Sequence, residues 1–275
     1  MKFRVIFLLF NVVLVISFLV IYLMPLFIIG WDYTKIFWAA NWYLPVIFFA
    51  IIAVLNVYFA LNWRLFNLLE REDWAGLVSF LEEEIYTKNR IRRQHVRILV
   101  NGYLVNSNTD GIGRLEAQVR EKRPKLMPSM ALSFGVPHLL KNDPVQMEQY
   151  FAEFLTKRNT RDRNWVLWDH AFALMLQKRR EEARGELLGV VKASREPVLR
   201  LLSFYLLDAF SDGDVERVLE EGKASLKKRF TPSLWQKELE RAKDNVQVVI
   251  LSKLVQESTE WLFSFGALGD AKAIH

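Results

Sequence analysis

Cysteine is missing from all 275 residues, which rules out a disulfide, a thiolate nucleophile or a cysteine-ligated metal. Histidine is scarce: His95, His138, His170 and His275 stand far apart without metal-ligand spacing, so no metal is expected. Charge is almost missing from residues 1–63, which carry only Lys2, Arg4, Asp32 and Lys35. An alternating strand pattern is missing from the remainder. Residues 64–275 hold the other 34 Lys and Arg against 30 Asp and Glu, a mildly basic and otherwise ordinary soluble composition.

The charge-free stretches are long. Val5 to Ile29 would extend about 37 Å as a helix at about 1.5 Å per residue, more than a hydrocarbon core of about 30 Å needs. It exceeds a signal-peptide core, and Ile28-Ile29-Gly30-Trp31 is a poor cleavage sequence, so it reads as retained. A second span is expected from Tyr43 to Trp63, with Pro45 in its first turn, where a missing N–H costs least. Trp31, Tyr33, Trp38, Trp42 and Trp63 rim both stretches as an interfacial belt does. Lys2, Arg4, Arg64 and Arg71 flank the outer ends, while Lys35 in the short connecting loop is offset by Asp32. Both termini are therefore expected in the cytoplasm of a bacterial inner membrane. No ionisable residue lies within the spans, which disfavours a translocation path; Asn11 and Asn56 suit contact between helices or subunits.

Residues 64–265 carry helical spacing throughout, as in Val78, Leu81 and Ile85 or Val218, Leu219 and Leu226. Turn signals at Asp73, Asp110, Asp143, Arg180 and Gly213 recur at about 35 residues, the period of a stacked helix pair. Gly102, Pro128, Gly135 and Pro137 interrupt some of the expected helices. Ser233 to Phe265 is expected as a closing helix or helix pair with a polar face from Gln236 to Lys243, and 266–275 as a flexible tail.

The unit from Asn164 to Pro197, with Ala171, Leu174, Ala183, Leu187, Val190 and Val191, resembles a tetratricopeptide repeat; Arg200 to Arg229 is a looser copy. The resemblance implies an all-α chain, two transmembrane helices followed by a helix-pair solenoid, and an extended groove that binds another protein. The whole is similar in architecture to bacterial inner-membrane scaffolds, including the family associated with haem biosynthesis, and to accessory structures of the flagellar motor. The function it implies is a membrane-anchored interaction scaffold, without enzymatic activity or cofactor. A membrane enzyme or transport subunit with a helical domain is the alternative.

Catalytic constellations are not expected. Asp110-Gly111-Ile112-Gly113 reads as a turn, because no strand precedes it and no Gly-Lys-Ser follows. Glu82, Glu83 and Glu84 read as a solvated face, and His170 as a boundary histidine. Basic clusters fall where one helix pair ends and the next begins, including Arg92, Arg93, Arg120, Lys122, Arg123, Lys125, Arg161 and Arg163, whereas most turns within pairs are acidic. Macrodipole compensation explains part of this. Because the second span continues into Arg64-Leu65-Phe66, the basic edge is expected to meet lipid headgroups, with Arg92, Arg93, Lys122, Arg123, Arg161 and Arg163 as contacts. Nucleic acid is not expected, since the soluble part is only weakly basic and lacks a recognised motif. Helical phase nominates Arg97, Asn101, Trp165, Trp168, Asp169 and Tyr205 as exposed residues of a groove for a protein partner or a second copy.

Overall fold

The structure, a computed structural model, describes residues 3–28, 30–141, 143–210 and 213–264. Lys2, Asn142, Asp212, the expected tail at 266–275 and His275 lie outside the described residues. The described chain is helical and contains no strand. It forms two compact units, 1–90 and 91–275.

The first unit opens with α1 (Phe3–Ile28) and α3 (Tyr43–Leu61), joined by α2 (Trp31–Ala40). The connection expected as a loop is thus a helix. Gly30, at φ +87, makes the sharp entry that a side chain would strain, and the Trp38 indole N–H donates to the Tyr22 carbonyl at 3.2 Å. Stacked rings pair α1 with α3 antiparallel, Phe7 on Phe59 at 3.8 Å and Phe18 on Phe48 at 3.9 Å. Elsewhere the hairpin's apolar side chains point outward; Val54 is 69% exposed and Phe27 81%.

After a single intervening residue, Asn62, the chain enters α4 (Trp63–Glu70) and α5 (Trp74–Glu82), which ends in a wider turn at Glu83–Thr87. Leu77, Leu81 and Ile85 bury one face of this segment, as helical spacing requires. The acidic run is not uniformly solvated. Glu84, seven residues after Leu77 and three after Leu81, shares their buried face and is held by Lys88 at 2.8 Å and Arg90 at 3.4 Å. The Lys88 hydrogen bond, the larger cause, and the Arg90 charge keep its carboxyl below the usual range.

The second unit contains α6 (Arg93–Val105), α7 (Thr109–Lys122), a 3-10 turn at Pro124–Ser129, α8 (Ala131–Leu140), α9 (Pro144–Leu155), α10 (Arg163–Leu176), α11 (Arg180–Ala193), α12 (Pro197–Leu207) and α13 (Gly213–Arg229). It closes with three helices, α14 (Pro232–Ala242), α15 (Val246–Ile250) and α16 (Ser252–Ser264), not the expected one or two. The segment Asp110–Gly113 is the first turn of α7, capped by the Asn108 side chain accepting from Gly111 N at 2.9 Å. It is therefore helix and not a loop turn.

One turn recurs. Glu72, Ser107 and Lys178 all have positive φ and follow the C-termini of α4, α6 and α10. In each case the next residue's N–H reaches back five residues, Asp73 to Leu68 O, Asn108 to Tyr103 O and Arg179 to Leu174 O, closing a Schellman turn. Ala171, Ala173 and Ala183 are fully buried where α10 packs on its neighbours, and Leu187, Val190 and Phe204 continue that core. α15 also packs on α8, far earlier in the chain, a return contact that a strictly nearest-neighbour stack lacks.

Gly102, Gly135 and Pro137 do not break their helices; α6 and α8 run through them. At Gly135 the missing side chain is structural. A Cβ there would lie 2.5 Å from Phe151 Cζ, and Phe151 is fully buried and cannot yield. Gly135→Ala is expected to cost fragment 91–275 about 2 kcal/mol, as overpacking outweighs the helix-propensity gain of about 1 kcal/mol. Gly113→Ala, with open space around it, should retain that gain. Urea midpoints of the two variants check the contrast.

Candidate functional site

The packing of α9, α10 and α11 sorts the loops of the second unit onto two edges. Gln177 at the end of α10 donates to the Pro144 carbonyl at the start of α9, at 3.0 Å, so these helices run antiparallel. Trp165 Nε1 near the start of α10 donates to Glu196 after α11, at 2.7 Å, and His170 meets Glu186 at 2.8 Å, which pairs α10 with α11 in the same sense. On the other side, Arg161 N donates to Pro128 O at 3.1 Å and ties the α9–α10 junction to the 3-10 turn before α8. Junctions 123–130, 156–162 and 194–196 therefore share one edge. The turns before α9 and α11 share the opposite one.

The first edge is basic. Arg123, Lys125 and Arg158 are exposed and make no ion pair among the described residues. Among the described residues Lys122 is exposed and paired only with adjacent Glu121, and Arg161 only with adjacent Asp162. Arg163 is exposed and donates to the Leu155 carbonyl. Arg92 and Arg93 are exposed at the start of α6, and among the described residues no hydrogen bond or ion pair ties them to the other junctions. Two cations of these clusters are committed elsewhere. Arg120 bridges Glu116 and Glu153 at 2.8 Å each, and Lys157 also binds Glu153. The Arg120 hydrogen bond is the main reason the Glu153 carboxyl titrates below its usual range, whereas burial pushes Glu116 up.

On the opposite edge the apparent exceptions are partly neutralised. Arg179 sits between Glu148 at 2.6 Å and Glu182 at 2.5 Å. Hydrogen bonds from Gln177, first, and Arg179 hold Glu148 below the usual carboxylate range. Lys178 and Arg180 remain exposed there.

Of the six residues nominated for a partner groove, three are buried. Arg97 and Asn101 are exposed on α6 and Tyr205 is half-buried on α12, where its hydroxyl approaches Glu257 at 3.5 Å. Trp165, Trp168 and Asp169 are buried. Helical phase placed them on a first-helix surface, but α10 is covered on several sides, by α8, α9, α11 and α12. Trp168 stacks on Phe172 at 5.2 Å and lies in the apolar core.

Asp169 is the chemically unusual member of that core. Among the described residues neither carboxyl oxygen has a partner, and burial raises the carboxyl well above the usual range. Burial and then the charges of Glu116 and other carboxylates, Asp169 among them, raise neighbouring Tyr150, whose hydroxyl donates to Ala131 O at 2.9 Å. Sequence alone had no signal for this, since an Asp before a His in a helix reads as surface. His170 is largely buried and paired with Glu186, more enclosed than a boundary histidine.

Residues 111–264 match a protein family described as "Uncharacterised Treponema protein". A protein of Treponema pallidum (strain Nichols), described as an uncharacterized protein, is 29% identical over 258 residues, which cover 89% of this chain and 81% of that protein. No solved structure matches.

Proposed function

We propose, starting from the fact that the chain belongs to the family described as "Uncharacterised Treponema protein", that it is a membrane-tethered interaction scaffold. α1 and α3 anchor it, and the helical unit offers its surfaces to another protein of a bacterial envelope assembly. The observation that carries this reading is the outward-facing apolar hairpin. No residue from Val5 to Ile28 is buried and α3 buries Phe59 alone among its residues, although each helix is long enough to span a bilayer. Leaving that surface in water would cost about 25 cal/mol per Å² of apolar area, so the hairpin requires lipid or a partner. A core helix of a soluble protein would have its apolar residues covered.

The recurring Schellman turns after α4, α6 and α10 support a repeated helix pair akin to a tetratricopeptide array. The return of α15 onto α8 makes the array more closed than an open solenoid. The unpaired cations of the 123–130 and 156–162 junctions support contact with anionic headgroups. In the short connection Lys35 pairs with Asp32 at 3.5 Å, which leaves the basic bias on the outer flanks and favours both termini in the cytoplasm.

Affinity purification of the full-length chain from solubilised membranes tests the scaffold. The expected result is a stoichiometric protein partner that is lost when residues 91–275 are deleted. A bound small molecule with turnover, and no protein, would favour a membrane enzyme. Periplasmic activity of a reporter fused at either terminus would contradict the proposed orientation.

A further inference from the structure

The apolar hairpin carries one polar seam. Asn56 donates through Nδ2 to Asn11 Oδ1 at 2.9 Å and to Ile52 O at 2.9 Å, while Asn11 donates to Phe7 O at 2.9 Å. An amide side chain has two N–H donors and one oxygen. One Asn11 N–H and the Asn56 oxygen therefore remain without a partner among the described residues. Both asparagines line an open groove of about 760 Å³ with Leu8, Phe59, Ala60 and Trp63. At about 1.5 Å per residue, Asn56 lies about 8 Å inside the end of α3 and Asn11 about 12 Å inside the start of α1. In a bilayer that depth offers no water to satisfy either group.

We propose that this groove seats a second copy of the chain. The two leftover groups select the occupant. Each copy presents one spare donor and one spare acceptor, and a copy related by a two-fold axis presents the same pair reversed. The Asn11 N–H of each copy then reaches the Asn56 oxygen of the other, forming two reciprocal hydrogen bonds. An acyl chain or an apolar helix supplies neither group. Ala60, small and exposed on the groove wall, permits the close helix approach such contacts need. The inference rests on the reading of α1 and α3 as membrane-spanning.

The absence of native cysteine allows a clean test in the full-length chain. Ala60→Cys places a thiol on the groove. Val54→Cys, 69% exposed and two residues from Asn56, places one on the far side of α3. Two differently tagged copies are coexpressed, and membranes are treated with a thiol cross-linker. The expected product from Ala60→Cys is a dimer carrying both tags, about tenfold stronger than from Val54→Cys. Adding Asn11→Leu and Asn56→Leu should lower it about tenfold, the weight of two interhelical hydrogen bonds in a membrane. The chain should stay resistant to carbonate extraction throughout. A membrane-retained chain that stays monomeric, cross-links equally at both positions, ignores the leucine substitutions or joins only other proteins overturns the self-association alone. Release of the wild-type chain by carbonate overturns the spanning hairpin and this inference together.

Discussion

Neutralising Arg123, Lys125, Arg158 and Arg161 to glutamine in fragment 91–275 is expected to weaken its partition onto anionic vesicles about a thousandfold at low salt. Each Lys or Arg near a negative surface contributes about 1 kcal/mol, and every 1.4 kcal/mol is tenfold. The choice of residues follows from the packing. These four belong to junctions joined through the hydrogen bond from Arg161 N to Pro128 O, and none is engaged beyond a sequence neighbour. Lys178→Gln with Arg180→Gln removes two charges from the opposite edge and should change partition by less than about threefold if only the first edge meets lipid. Flotation across a salt series measures both. The four-residue effect should shrink once the Debye length falls to about 3 Å near 1 M salt. Equal losses from both edges would mean that net charge acts and no edge is preferred.

Replacing Asp169 with asparagine should stabilise the second unit progressively as pH rises above the ordinary carboxylate value of about 4, and leave it unchanged below that value. The sign follows from the raised carboxyl. Folded Asp169 keeps its proton at pH values where the unfolded chain, with an ordinary carboxylate, has released it. Between the unfolded and the higher folded value the native state binds more protons, so wild-type stability falls as pH rises and levels off above the folded value. Asparagine cannot ionise and removes that slope. Asp169→Leu goes further by removing the buried polar atoms, and should add about 1–3 kcal/mol of stability. Urea unfolding of fragment 91–275 from pH 3.5 to 9 separates these effects. Parallel wild-type and Asp169→Asn profiles would show that the carboxyl is solvated in the folded protein.

Much of the architecture was legible because it depends on local chemistry. The two apolar helices follow from uninterrupted hydropathy, and the helix starts at α5 and α9 follow from Asp73 and Asp143, whose side chains take the first free N–H groups. Helical period placed Leu81 and Ile85 on a buried face, to which the structure adds Leu77 while Val78 stays half-buried. The groove residues were not legible, because helical phase shows which residues share a face but not how many neighbours cover a helix. Trp165, Trp168 and Asp169 were thus assigned to a surface that α10 does not expose at those positions.

By itself the sequence determined that the chain is all helical, that its first 63 residues include two lipid-compatible segments, and that basic and acidic residues alternate between successive turns. Those properties reside in composition, period and capping, which act over a few residues. Tertiary structure alone decided that Arg120 and Lys157 are engaged by Glu153 while Arg123, Lys125 and Arg158 make no ion pair among the described residues, that α15 returns to α8, and that the Asp169 carboxyl lies in the core without a partner among those residues. Each of those outcomes depends on which distant segments meet, because desolvation and pairing energies are set by neighbours in space and not in sequence.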